Sequence, residues 1–260
     1  MHCKEACRNS WIHFMTFRDE IQAVLPDLLT DRSTRRRLPV DAETLLPRWR
    51  KRQAEQAERT RTKAEVATPA WLARDMTEMI ETELMGDWQA YVRAKCLEIT
   101  CGEAPFLCQM YDCVSGRQIP VSERGGIFDR KLRRVSEHCE TYGRWNLWAL
   151  YALQACYGYE YQADSLALAR LNLLTDYLDT CESVFGTPPD AAMMTSAAVI
   201  ISWNLWQMDG LKGQTPDGRE CLIRDWEAGE CVRWGRKPES NQRTGVQSPV
   251  NFRYSIPRQR

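Results

Sequence analysis

Three short stretches of this chain carry residues suited to holding a nucleoside. Cys101-Gly102-Glu103 puts a glycine at the end of an apolar run, Glu160 closes a second run, and Asp209 stands before Gly210 at the end of a third. A glycine lets backbone approach a ligand closely, and a carboxylate accepts hydrogen bonds from hydroxyls or amines. One such loop and two such acids make up the set that an adenosyl cofactor needs. The loop would take its amino-acid part, Glu160 its ribose and Asp209 its adenine amino group. Each acid also has a plainer reading, because strand ends and Asp-Gly turns take acids without any ligand. Cys101 reads more simply as a small loop residue than as a nucleophile, since no His lies near it in sequence.

The elements that must position these tips follow from the apolar pattern. Residues 97–100, 157–161 and 205–208 read as short strands. Helices are expected over 127–141 and 144–157, then from Asp164 onward with Leu166, Leu168, Leu171, Leu174, Tyr177 and Leu178, and over 191–203. This alternation predicts an α/β fold with a parallel sheet, whose ligands bind beyond the carboxyl ends of the strands. Thr68-Pro69 is a helix start, with Thr as cap and Pro in the first turn, and a short helix is expected over 105–113. Residues 221–226 and 230–234 read as a hairpin across Ala228-Gly229. Thr187-Pro188-Pro189-Asp190 is a loop and helix entry. Trp145, Trp148, Trp203 and Trp206 are expected mainly in the core.

Upstream, a helix from Met15 carries Ile21, Val24, Leu25, Leu28 and Leu29 on one stripe, 30–40 reads as a polar linker, and 48–66 reads as a charged helix. The expected organisation is an extension at 1–14, a helical basic arm at 15–66, an α/β domain at 67–234, and a tail at 235–260 without regular structure. His2, Cys3, Cys7 and His13 match no finger or ribbon spacing, so no metal site is expected.

The 260 residues hold 35 basic and 35 acidic side chains, and the zero balance hides a pattern. Residues 31–63 carry eleven basic against five acidic residues and 219–260 carry nine against five, while 64–218 carry twelve against twenty-one. An acidic middle is thus flanked by basic segments. Such segments either contact nucleic-acid phosphates or simply keep a helix solvated. No apolar run is long enough to span a bilayer. Eleven cysteines, an odd number, and no export signal point to reduced thiols and a cytoplasmic protein.

Four segments then occur in a telling order: Val66-Ala67-Thr68-Pro69-Ala70-Trp71-Leu72, Leu97 through Leu107, Gly158 through Leu174, and Asn204 through Leu211. Together they resemble the cofactor motifs of S-adenosylmethionine-dependent adenine-N6 DNA methyltransferases of restriction–modification systems. The likeness covers most of residues 15–234. It implies a Rossmann-like methyltransferase sheet flanked by helices, S-adenosylmethionine as cofactor, DNA as partner through 31–63 and 219–260, and a restriction or specificity subunit as a further partner. It assigns Thr68, Pro69 and Trp71 to the segment that closes over the cofactor. Cys101, Gly102, Glu103 and Phe106 fall in the first loop, Glu160 on the ribose, and Asp209 at the third strand end.

Ala104-Pro105 stand where the family has a second glycine, Glu98 is the nearest acid to its strand-end Asp, and Met208 replaces a common glycine. The family's Asn/Asp-Pro-Pro-aromatic loop, which grips a flipped-out adenine, has no counterpart after Asp209. Three readings therefore stand side by side: a methyltransferase, a non-catalytic DNA-binding or scaffolding subunit that kept the fold, and a chain whose catalytic loop is carried elsewhere.

Overall fold

The computed structural model describes residues 18–42, 45–82, 87–233 and 254–256. The expected extension at 1–14 and most of the tail lie outside the described residues. Helix α1 (Asp19–Leu28) buries Ile21, Val24 and Leu28, the stripe read from its periodicity. The stretch expected to be a plain polar linker instead forms a small hairpin of β1 (Thr30–Asp31) and β2 (Arg36–Arg37). An Asx turn closes it, with the Asp31 carboxylate accepting from the Thr34 N–H. Two-residue strands leave no alternation for a sequence reading to find.

Helices α2 (Gln53–Lys63), α3 (Ala70–Thr82) and α4 (Trp88–Arg93) lead to the first sheet strand, β3 (Cys96–Ile99). Helices α5 (Ile127–His138) and α6 (Tyr142–Gln154) connect it to β4 (Cys156–Glu160). Helices α7 (Ala163–Phe185) and α8 (Ala191–Asn204) connect β4 to β5 (Leu205–Gln207). A hairpin of β6 (Leu222–Asp225) and β7 (Glu230–Arg233) follows, and β8 (Tyr254–Ile256) closes the order. The hairpin turns at Gly229, whose φ of +71° is a conformation that glycine adopts without strain.

The sheet order is β5-β4-β3-β8, and all three pairings are parallel. The described part of the tail thus contributes a strand, where the sequence suggested no regular structure. The chain builds outward from β3 through β4 to β5, then returns to the other side of β3. The order reverses at β3, which makes its carboxyl end the switch point where ligands of open α/β sheets bind.

Side chains alternate across the strands as a two-residue period requires. Cys96, Cys156 and Leu205 face the main helical core. Leu97, Tyr157, Tyr159 and Trp206 face a second, smaller core closed by Cys221, Ile223, Trp226 and Val232. One face of the sheet is therefore covered by helices and the other in part by the β6–β7 hairpin.

Two buried polar side chains tie the layers together. Arg170 of α7 is fully buried and donates to the carbonyls of Leu28, Thr30, Ser202 and Leu205. Burial draws its pKa down to about 10, against the pull of Asp31. Asn204 donates to the carbonyls of Leu153, Gln154 and Cys156 and accepts from the Trp226 indole N–H. It thereby satisfies carbonyls that the end of α6 leaves without helical partners.

Candidate functional site

A cleft opens over the carboxyl ends of β3 and β4, with about 690 Å³ of space counted out to its open mouth. Its floor is the loop after β3. Thr100, Gly102 and Ala104 there have φ of +51°, +57° and +62°. Such angles are uncommon for residues with a Cβ, and an alternating run of them costs of order 1–3 kcal/mol for each non-glycine residue. The loop is held in that shape by acids from neighbouring strands. Glu160 accepts from the Gly102 N–H at 2.9 Å and from the Gln162 N–H at 2.9 Å. Glu98, buried beneath, accepts from the N–H groups of Phe106 and Leu107. Those bonds draw residues 105–107 into a series of turns, so the helix expected over 105–113 does not form.

Burial pushes the Glu98 carboxyl well above the ordinary carboxylate range and the Cys101 thiol well above the thiol range. A thiol so held is protonated at neutral pH and is no nucleophile. Gly158 in β4 lets this thiol pass, since a Cβ there would stand 3.1 Å from Cys101 Sγ. At Gly102 the Cβ position has no atom within 4 Å, so this backbone faces open space.

The far wall comes from the basic segment, which is not a separate arm. Arg48, Lys63, Glu65, Val66, Ala67 and Thr68 line the cleft. An internal network holds the segment down. Lys51 Nζ lies 2.7 Å from Asp164, Arg59 pairs with both Asp164 and Glu65, and Arg48 pairs with Glu65 at 3.2 Å. Asp164, where the sequence reading begins this helix, lies in the first turn of α7 and anchors the segment there. Burial alone would raise its pKa, but the hydrogen bonds from Lys51 and Arg59 hold it at about 2. Glu103 also fastens the wall, accepting from the Arg48 N–H at 2.6 Å and the Tyr111 hydroxyl at 2.5 Å. Burial raises the Glu103 carboxyl in turn.

Of the nine candidate residues, Thr68, Cys101, Gly102, Glu103, Phe106 and Glu160 line this one cleft. Pro69, Trp71 and Asp209 do not. The Pro69 carbonyl accepts the first N–H groups of α3, from Leu72 and Ala73, while the Ala70 N–H is taken by the Asp112 carboxylate at 2.7 Å. Trp71 is 63% exposed on the outside of that helix. Asp209 holds its own turn, accepting from the Leu211 and Lys212 N–H groups, with its N–H on Gln214. The plain turn reading describes its contacts.

Arg48, Lys63 and Glu65 were not foreseen as lining residues. The only sign was their continuity with Thr68, because a wall folded back over a sheet leaves no periodicity. His138 stacks on Trp88 with centroids 4.9 Å apart, a packing role. Among the described residues no cluster of His, Cys, Asp and Glu is arranged for a metal ion, and His2, Cys3, Cys7 and His13 lie outside them. Among the described residues no helix is long and apolar enough to cross a membrane. The nine described cysteines are free, eight of them buried. No family model, no curated protein and no solved structure matches this chain.

Proposed function

We propose that the cleft binds S-adenosylmethionine and that the chain is a DNA methyltransferase of the adenine-N6 type, as part of a restriction–modification system. One observation carries the reading. The strand order reverses at β3, and a left-handed loop at its carboxyl end shares one cleft with an acid from the end of β4. That is where open parallel sheets take nucleosides. When bound, the cofactor would supply a methyl group on a sulfonium, ready for in-line displacement.

The residues present fit the amino-acid and ribose parts. Gly102 offers backbone with open space above it. Glu160 lines the cleft next to Gly102, and a carboxylate is an acceptor of the kind that ribose hydroxyls need. Phe106 and Thr68 lie on the walls. The adenine amino group must find another acceptor, because Asp209 is committed to its turn.

Calorimetry with S-adenosylmethionine is the direct test. Saturable one-site binding is expected, weakened about tenfold or more in Glu160→Gln, since a hydrogen bond to a charged group contributes roughly 1.5–3 kcal/mol. No heat at high protein concentration would overturn the reading.

A second reading is favoured by a specific observation. Thr187-Pro188-Pro189-Asp190, which holds the paired prolines, serves as the entry to α8, with Asp190 capping the Met193 N–H. It does not line the cleft. A non-catalytic DNA-binding or scaffolding subunit needs no base-gripping loop. Tritiated methyl transfer onto unmethylated DNA separates the two, and transfer regained only with an added restriction or specificity subunit would assign the loop to that partner.

A further inference from the structure

The two basic segments, far apart in sequence, meet on the surface. Asp217 lies 2.8 Å from Arg36 and 3.2 Å from Arg219, so the β1–β2 hairpin and the start of the C-terminal basic segment share one carboxylate. These side chains are 58%, 49% and 40% exposed for Arg36, Arg219 and Asp217. Flanking them, Arg35 and Arg37 are exposed and make no ion pair among the described residues. Lys212, 73% exposed, is in the same loop as Asp217, and among the described residues its one ion pair is a loose 3.7 Å contact with Asp209.

Backbone contacts fix where this patch sits. Asp31 accepts from the Gln207 N–H at the end of β5, and Ser33 accepts from the Leu222 N–H. The hairpin is thereby docked beside the carboxyl end of β5, the strand next to β4. Neighbouring strands lie about 4.8 Å apart, so the patch stands beside the cleft on the same edge of the sheet. Tyr161, 45% exposed just after β4, ties the ends of the two strands together, its carbonyl accepting from the Gln207 side chain at 2.8 Å.

We infer that Arg35, Arg36, Arg37, Lys212 and Arg219 form a seat for the phosphodiester backbone of duplex DNA, which then runs across the carboxyl edge of the sheet toward the cleft. DNA as the partner rests on the functional reading above; the location of the seat rests on the geometry alone. Guanidiniums suit phosphate because their fork of donors matches its oxygens. Arg36 and Arg219 share one carboxylate and so leave positive charge over. The helix α2 is the weaker candidate, because Arg59 and the neighbouring Arg48 and Lys51 are turned inward on Glu65 and Asp164.

Arg35 supplies the clean variant. Its φ of +56° favours glycine, so Arg35→Gly removes a charge while relieving the backbone, and lost binding cannot be laid to misfolding. The test is fluorescence anisotropy of a labelled duplex with the full chain, at salt from about 50 to 200 mM. Wild type should bind and weaken steeply with salt. Arg35→Gly with Arg37→Ser should weaken binding at least tenfold and flatten the slope of log affinity against log salt by about 2, one for each phosphate contact. Arg219→Ser should add to the loss, and Arg61→Gln on α2 should change nothing.

Three outcomes would overturn the seat: no binding at the lowest salt, an equal loss in Arg61→Gln, or equal, arginine-dependent binding to phosphatidylserine vesicles. Calorimetry with S-adenosylmethionine on the same variants keeps the two readings apart. Cofactor binding with an unaffected duplex affinity sinks the seat alone, and absent cofactor heat with intact duplex binding sinks the enzyme alone.

Discussion

The hairpin at 30–37 and the stretch at 48–65 come from one basic run and are used in opposite ways. In the second, Lys51 and Arg59 have side chains only 6% and 10% exposed, clasping Asp164 and Glu65 to hold down a wall of the cleft. In the first, Arg35, Arg36 and Arg37 are exposed around an outward-facing tip. Net charge along a sequence therefore says how many cations there are and nothing about which way they face. What decides is the setting of the partner acid: Asp164 at the start of α7 takes Lys51 and Arg59 against the packed domain, whereas Asp217 meets Arg36 out in the open, 58% exposed.

The comparison can be broken at the inward side first. Asp164→Ala leaves Lys51 buried without its partner and strips one of two from Arg59. It should cost about 3 kcal/mol, toward the lower end for a broken buried pair because Asp164 is itself part-exposed. Denaturant midpoints measure it, and a loss under about 1 kcal/mol would show the stretch to be only a solvated face.

Acid gives the next largest effect. The Asp164 carboxyl is held at about 2, below the ordinary aspartate value. Its ionised form is favoured by folding, so the stabilisation is complete above about pH 4 and is lost as the pH falls toward 2. Comparison with Asp164→Asn between pH 5 and 2 should show a difference that shrinks by roughly 2 kcal/mol.

Smaller, and of opposite sign, is Arg35→Gly. Relief of a left-handed backbone should raise stability by roughly 0.5–1 kcal/mol, a few degrees in Tm, where a cation with structural work would lower it. Arg61→Gln, which breaks an exposed pair with Glu58, should stay within about 0.5 kcal/mol by the same thermal measurement.

Much of the architecture was legible because it follows local rules. Strands β3, β4 and β5 announced themselves as short apolar runs between helical patterns, and the β6–β7 hairpin as two β-prone runs across Ala228-Gly229. Asp190 was legible as the start of α8. What failed was set by tertiary capture. The stretch after Pro105 has helical composition, yet Glu98, an acid hidden under the loop, takes the N–H groups of Phe106 and Leu107. The cap expected at Thr68 is replaced by Asp112, forty-two positions from the Ala70 N–H that it accepts. Asp209 and Glu160 looked alike in sequence, each an acid at a strand end. One is consumed by the turn that follows it, and the other reaches across to the loop of the next strand.

The place of β3 in the sheet also sets an order of events during synthesis. Cys96 pairs on one side with Cys156, 60 residues later, and on the other with Tyr254, 158 residues later. At roughly 5–20 residues per second, one edge of the central strand waits on the order of 5–20 s after β4 is made before its second neighbour exists. An open strand edge is a template for unwanted pairing. Nascent chains of this protein should therefore be most prone to aggregate in that interval, and shortening the C-terminus to remove β8 should make the vulnerability permanent.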